Sequence, residues 1–274
     1  MAGKTSKLEA SRESQILKLV KDLQIQRTVR DQRQLFYVEG VRNFVQVASQ
    51  GFELEMVIYS DKLCTSAITR KMVRQLKNQG TQILNIRPEI YRSLSSTERA
   101  SGVGAIVRQR WTALESIDLS QKCCFVVLEE INSAGNLGTL IRSSEALGAT
   151  GFIILGKTLE LHAPGTIRAT MGAMFKQDFV RSSFMDFQNW IREHQLTVVG
   201  ASPDGTQDFD NFAYPRATFL FLGEEQEGLT TQQRNLCSQL LRIPMVGKSD
   251  SLNLGVAGSL MLYQIYRSKN KISS

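Results

Sequence analysis

Apolar positions along this chain follow two rhythms, and the change between them divides it. Over residues 8–33, the stretch containing "ILKLVKDLQIQRTVRDQR" spaces apolar side chains three and four apart among lysines and arginines. That spacing predicts a basic amphipathic helix running into a polar turn. "LFYVEG" (35–40) then predicts a strand ending at Gly40, and "VRNFVQVASQG" a helix stopped by Gly51. "LEMVIYS" and "TQILNI" read as further strands on either side of the helix "TRKMVRQLKNQG". These elements make a small α/β unit over residues 1–108. The polar stretch 109–121 reads as a linker to a second domain, 122–274.

Beyond the linker, short apolar runs alternate with helical ones. Strands are predicted at 123–130, 151–156, 196–202, 218–223 and 240–245, and helices at 137–149, 165–175, 184–195, 230–239 and the C-terminal stretch. Apolar strands without alternation, each followed by a helix, predict a parallel sheet covered on both faces. Such sheets bind ligands beyond the carboxyl ends of their strands. In the last helix, Leu254, Val256, Leu260, Leu262 and Ile265 are the expected buried or half-buried positions.

Charge sharpens the division. Residues 1–110 carry 19 Lys and Arg against 10 Asp and Glu, whereas residues 111–274 carry 14 against 16. A basic module meeting a polyanion, joined to a near-neutral one with another task, fits this asymmetry, and Arg27, Arg30 and Arg33 on the N-terminal stretch are the expected nucleic-acid contacts. Composition is otherwise ordinary: 42% hydrophobic and 22% charged. No apolar run is long enough to span a bilayer. The opening "MAGKTSKLEASRES" has no apolar region and carries glutamates, so no secretory signal or transit peptide is expected. Four cysteines without a CxxC pair and two histidines argue against zinc or a disulfide framework, and for a reduced, cytoplasmic setting.

Candidate chemistry lies at three predicted strand ends. In "NSAGNLGTLIRSSEALGA" (132–149), Asn136, Gly138 and Arg142 stand at spacings of two and four. Gly138 permits a tight turn, and Arg142, further along the helix, offers a fork for phosphate or carboxylate. Taken alone, a helix cap and a surface arginine explain this equally well. "FLFLGEEQEGL" (219–229) exits a strand into Gly223, Glu225 and Gly228, where glycines would let the backbone approach a ligand. GxGxxG does not occur, so the dinucleotide fingerprint is missing, and the GxxxxGK[ST] spacing falls only on "GFIILGKT" (151–158), whose middle is a predicted apolar strand and not a glycine-rich phosphate loop. "LLRIPMVGKSDSLNL" (240–254) turns at Gly247 and crowds Ser249, Asp250, Ser251 and Asn253 before the last helix, although one such residue suffices as a cap.

In this order, N-x-G-x-x-x-R, L-G-x-E-x-x-G and I-P-M-x-G-x-x-x-S-L-N resemble the signature motifs of the SpoU/TrmH family of the SPOUT superfamily. These are S-adenosylmethionine-dependent RNA ribose 2′-O-methyltransferases. The resemblance covers residues 123–270, and "RQLFYVEGVRNFVQVA" is similar to the F-x-V-E-G segment of an RNA-binding domain that many members carry. Two departures stand out: Ala134 and Gly135 where most members have a proline before the motif-one Asn, and Leu254-Gly255 after the motif-three Asn.

The resemblance implies a catalytic set of Asn136, Arg142, Glu225, Ser251 and Asn253, with Arg142 at the ribose hydroxyl and adjacent phosphate. It further implies a C-terminal trefoil knot, a homodimer packed partly through the C-terminal helix, no metal, and bent S-adenosylmethionine among the knotted loops. The backbone groups expected to hold that cofactor are those of Gly200, Ala201, Leu222, Gly223, Gly228, Ile243, Ser251, Leu252 and Asn253. The proton acceptor stays open. Arginine is effectively always charged, so an electrostatic role for Arg142 is easier to defend than a basic one; His162 and His194 are generic alternatives. Ribosomal RNA is the expected substrate, with tRNA the alternative. A silent RNA-binding or ribosome-assembly protein of the same fold is the reading of a different class.

Overall fold

The structure, a computed structural model, describes residues 2–270, with side chains from residue 11 onward; residues 271–274 of the expected second domain lie outside them. The chain divides into two compact units, Met1–Arg110 with His162–Arg168, and Trp111–Leu161 with Ala169–Ser274.

In the first unit, helix α1 (Ala2–Ile25) gives way at Gln26 to a short α2 (Arg27–Arg33), which ends at Gln34 in the left-handed conformation. Strand β1 (Leu35–Glu39), α3 (Val41–Ser49), β2 (Leu54–Tyr59), α4 (Ala67–Asn78), β3 (Ile83–Asn85), α5 (Pro88–Leu94) and β4 (Val103–Arg108) follow. The sheet order is β1-β4-β2-β3, antiparallel at β4 and parallel between β2 and β3. Val20 and Leu23 of α1 are buried with Tyr37, Ile58, Tyr91 and Ile106, so the apolar stripe of α1 closes this core.

The sequence reading missed α5 and β4. β4 sits between β1 and β2 and reads "VGAIVR", whose glycine weakens a strand signal. Gly104 is there because any Cβ would overlap the Tyr37 hydroxyl. The basic stretch also needs correcting. Arg30 is 3% exposed and donates from Nη1 to the Leu23 carbonyl (2.6 Å), joining α2 to α1, so it is no surface contact. Arg27 pairs with Asp31 (3.3 Å), while Arg33 is exposed.

The second unit begins with the stretch expected to be a linker. Thr112 bridges to Val180, donating its N–H to the Phe179 carbonyl (2.8 Å), and Leu114 is buried in the core. Residues 111–121 are therefore packed rather than free. Then come β5 (Cys123–Leu128), α6 (Ala134–Ala146), β6 (Gly151–Leu155), α7 (Pro164–Thr170, shared with the first unit up to Arg168) and β7 (Asp178–Ser182). Next are α8 (Phe184–Glu193), β8 (Val198–Ala201), β9 (Gln207–Asp208), β10 (Ala217–Phe221), α9 (Thr231–Leu236), β11 (Gln239–Arg242) and α10 (Leu254–Lys269).

The seven strands run β7-β6-β5-β10-β8-β11-β9, and every pairing is parallel. This is an α/β fold with the expected parallel sheet. Central β5 is apolar throughout and β10 apolar except for Thr218, and their Phe125 and Phe219 stack at 6.0 Å. Strand β7, with Asp178 and Arg181 on an edge, and two-residue β9 carry too little apolar signal to be read from sequence. β11 stops at Arg242 instead of running to 245, because Pro244 has no N–H to offer a ladder.

Helix α10 lies on α6: a Cβ at Gly258 would strike Leu140 and Leu222, and one at Gly255 would press on Thr139 (3.3 Å). Of its predicted core positions, Leu262 and Ile265 are buried and Leu254 is half-buried, but Val256 and Leu260 remain 46% and 38% exposed. With Tyr263 and Tyr266 they form an apolar stripe that the chain itself leaves open.

Candidate active site

From β5 the chain winds outward through β6 and β7, then returns to the other side of β5 with β8 to β11. The strand order thus reverses between β5 and β10, where a doubly wound sheet opens a crevice at its carboxyl edge. The loops after β5, β10 and β11 meet there.

Glu225, after β10, accepts the backbone N–H groups of Asn132 and Ser133, both at 3.1 Å, in the loop after β5. Its Oε1 also accepts Asn136 Nδ2 (3.3 Å). Asn136 Oδ1 in turn accepts Asn253 Nδ2 (2.9 Å) from the loop after β11. Asn253 Oδ1 caps α10, taking the N–H groups of Gly255 (3.0 Å) and Val256 (3.3 Å). Each amide can donate only through nitrogen and accept only through oxygen, so this relay fixes both orientations and latches three loops. On α6, Ser133 is the cap, accepting the Asn136 N–H (3.2 Å).

The sequence reading did not single out Asn132 and Ser133, which act through backbone N–H groups that side-chain identity does not report. It also passed over Glu224. That carboxylate accepts the N–H groups of Gln226 (2.7 Å) and Glu227 (2.8 Å) as well as Asn132 Nδ2 (2.9 Å). The backbone bonds from Glu227 and Gln226 hold it below its ordinary range. Glu129, at the end of β5, accepts Gln233 Nε2 (2.6 Å), and Gln233 completes a capping box with Thr230 on α9.

Arg142 and Ser251 are exposed and have no side-chain hydrogen bond among the described residues. Both are therefore free for a ligand. His162 is buried in the first unit with its ring 4.5 Å from that of Phe36. His194 ends α8 against Trp190, on the side of the sheet where β8 begins.

The expected cofactor backbone groups separate into two kinds. Gly223 and Gly228 approach each other: a Cβ on Gly223 would overlap the Gly228 backbone, and Glu224 and Gly228 exchange two backbone bonds of 3.1 Å. Gly200 is needed for packing, its missing Cβ being crowded by Cys237 Sγ and Leu240 (both 2.7 Å). Leu222 is buried and donates its N–H to Val127 (3.1 Å), while Ala201 pairs with Leu241 in the ladder. By contrast, no backbone hydrogen bond involves residues 243–252 among the described residues. Ile243, Ser251 and Leu252 thus belong to a mostly exposed run whose backbone N–H and C=O groups have no protein partner among the described residues. Among the described residues, no group of three or more His, Cys, Asp or Glu could hold a metal ion.

Comparison with known proteins bears on this arrangement. Residues 123–263 match the SpoU rRNA Methylase family model, and residues 14–105 match the MRM3-like substrate binding domain. A 23S rRNA (uridine(2479)-2′-O)-methyltransferase of Streptomyces viridochromogenes is 28% identical over 241 residues, 85% of this chain and 83% of that protein. An AdoMet-bound rRNA methyltransferase from Sinorhizobium meliloti superposes with a TM-score of 0.84 at 28% identity, over 93% of this chain and 95% of its own. The SpoU methyltransferase AviRb from S. viridochromogenes, in complex with AdoMet, gives 0.83 at 26%, over 93% and 98%. The crevice of latched loops lies inside the matched region, and the chain belongs to the SpoU rRNA methylase family.

Proposed function

We propose that this protein transfers a methyl group from S-adenosylmethionine to a ribose 2′-hydroxyl of ribosomal RNA. The observation that carries the reading is the Glu225–Asn136–Asn253 latch, which gathers the three loops of a SpoU family member at the start of the helix that also carries the unpartnered Arg142. S-adenosylmethionine, when bound, supplies the electrophilic methyl. The chain's own contribution is to position and to stabilise charge. The free backbone of residues 243–252 grips the cofactor, the latch fixes where that loop starts α10, and Ser251 stands at its mouth. Arg142 clamps the substrate phosphate and stabilises negative charge developing on the ribose oxygen.

The reading includes three finer features. The chain leaves β11, beyond β8, and returns to α10 on α6 beside β5, which supports passage of the C-terminal segment through a trefoil knot. The open stripe of Val256, Leu260, Tyr263 and Tyr266 suits a homodimer through α10. A cytoplasmic setting fits a ribosomal RNA substrate. Besides Arg33, the RNA face includes α4, whose exposed Arg70, Lys71, Arg74 and Lys77 have no acidic residue on the same helix.

Mass spectrometry of 2′-O-methylated nucleosides in ribosomal RNA and tRNA, with and without the gene, tests this. A ribose methyl lost from ribosomal RNA is expected; a methyl lost only from tRNA would move the substrate. Absence of S-adenosylmethionine binding by calorimetry would favour the silent RNA-binding reading. Arg142→Ala should leave cofactor affinity unchanged and lower turnover about 100-fold or more, as for removal of a preorganised charge donor. Turnover within a few-fold of wild type would make Arg142 an ordinary surface residue.

A further inference from the structure

The side chain of Arg142 is exposed and unpartnered, but the turn of α6 that carries it is held on two flanks. One flank is Gln177, the residue before β7, which is 5% exposed. Both ends of its amide go to that turn. Nε2 donates to the Ile141 carbonyl (2.7 Å), and Oε1 accepts the hydroxyl of the fully buried Ser144 (2.8 Å). The other flank is α10, where Ser259 Oγ lies 2.7 Å from Ser143 Oγ and 2.6 Å from the Gly255 carbonyl. One turn earlier, Gly138 sits so close to Ala169 that a Cβ would overlap it, which leaves α6 no room to shift that way. Ile141, Ser143 and Ser144 are thus tied to neighbouring elements, and Arg142 alone among residues 141–144 offers a free side chain.

A buried amide is a demanding way to fill space. Gln177 must keep both bonds to avoid an unmet donor or acceptor, whereas an apolar side chain of the same length needs none. Apolar packing, however, is non-directional. Hydrogen bonds to two particular atoms of α6 fix both its rotation and its position along the axis. That precision matters where a charge must meet a reacting oxygen, because a displacement of about 1 Å can cost about 100-fold in rate. All of these residues lie in the second unit, with the latched loops.

We infer that Gln177 is a positioning residue for methyl transfer. Through Ile141 and Ser144 it sets the direction from which the Arg142 guanidinium meets the substrate. Being buried, it acts through Arg142 and not by contact with RNA. The inference rests on the reading of Arg142 as the group that stabilises charge, and the experiment separates the two.

The test is a double-mutant cycle, read as methyl transfer from labelled S-adenosylmethionine to transcribed 23S rRNA by the full chain. Gln177→Met keeps the length of the side chain and removes both bonds. With Arg142 present, it should lower kcat/KM for RNA about 10- to 100-fold, while cofactor affinity stays within twofold. In an Arg142→Ala background the same change should alter turnover less than twofold, since the group it aims is gone. A merely structural residue would lower turnover by the same factor in both backgrounds, and that result overturns the inference. So does Gln177→Met turnover within threefold of wild type when Arg142→Ala has lowered it about 100-fold. Near-normal turnover by Arg142→Ala removes the charge role proposed above, and the positioning role falls with it. Amide exchange at residues 142–145 needs no turnover and should quicken in Gln177→Met. If the wild type transfers no methyl group, the proposed function falls, and unchanged exchange at 142–145 overturns the clamp as well. Should Gln177→Met fail to fold, Ser144→Ala removes one bond of the two and runs the same cycle, with an expected loss of about 3- to 10-fold.

Discussion

Two glycine-bearing loops leave the carboxyl edge of the large sheet, one after β10 and one after β11, and they satisfy their backbones in opposite ways. The first, 223–228, closes on itself: Gly223 and Gly228 nearly touch, and the Glu224 carboxylate caps Gln226 and Glu227. The second, 243–252, makes no backbone hydrogen bond among the described residues, and most of its side chains are exposed. Glycine in the first serves close packing of backbone on backbone; in the second, the loop has its bonding capacity in reserve. A glycine next to a strand end can thus serve close backbone packing as well as approach to a ligand.

The largest effect that would test this contrast is on folding. Gly223→Ala puts a methyl group into the Gly228 backbone, which is not a flexible neighbour. Overpacking of this kind costs about 1–3 kcal/mol and often more against backbone. Chemical denaturation should show a large loss of stability, with or without cofactor. A stable Gly223→Ala protein with weakened S-adenosylmethionine binding would mean that this loop, too, faces the ligand.

Next comes the tie between the loops. Glu225→Gln keeps one acceptor but turns an NH2 group toward the N–H groups of Asn132 or Ser133, leaving a donor unmet. The expected cost is about 1–3 kcal/mol, with faster amide exchange at residues 132–133 and at the start of α10, and a matching fall in turnover. Slowed turnover with unchanged exchange would make Glu225 a group that touches substrate and not a latch.

The sequence showed the parallel sheet and the three strand-end motifs because both depend on side-chain identity. Apolar runs such as 123–128, short and rich in valine and phenylalanine, read as buried strands, and Asn136, Glu225 and Asn253 carry the latch themselves. It did not show what depends on backbone or on neighbours. Edge strand β7 is half polar, β4 is interrupted by a glycine that makes room for Tyr37, and Asn132 and Ser133 contribute N–H groups that every residue but proline owns. Arg30 misled for a related reason. A basic residue on a basic helix reads as surface, but the break at Gln26 folds α2 back so that its guanidinium meets the Leu23 carbonyl. Likewise the apolar positions of α10 outnumber what one chain buries, and the surplus stays at its surface.

A smaller effect is expected from pH. Backbone N–H groups hold the Glu224 carboxyl below its ordinary value of 4.5. Because the folded value is the depressed one, its contribution is complete above the unfolded pKa and is lost as pH falls through the folded pKa. Amide exchange at 226–227, corrected for intrinsic rates, should therefore stay slow near neutrality and quicken only in acid, below the usual carboxylate range. The 243–252 amides, lacking such a partner, should exchange quickly at every pH until S-adenosylmethionine is added. Equal protection of both loops in the free protein would erase the contrast.

The smallest effect is the sharpest control. Gly247 sits in the open loop, its φ lies outside the left-handed region, and a Cβ there would meet nothing within 4 Å. Gly247→Ala should change folding stability by no more than about 0.5 kcal/mol, as for an unconstrained surface position. Since alanine restricts the free loop, a slight gain is the expected sign. Cofactor affinity is where it can register: a methyl group beside backbone that must close on a ligand weakens binding, while the free protein does not notice. Set beside Gly223→Ala, the pair separates a glycine the fold needs from one that only a ligand would miss. Destabilisation of the free protein by Gly247→Ala comparable to that of Gly223→Ala would show that the second loop also closes on itself.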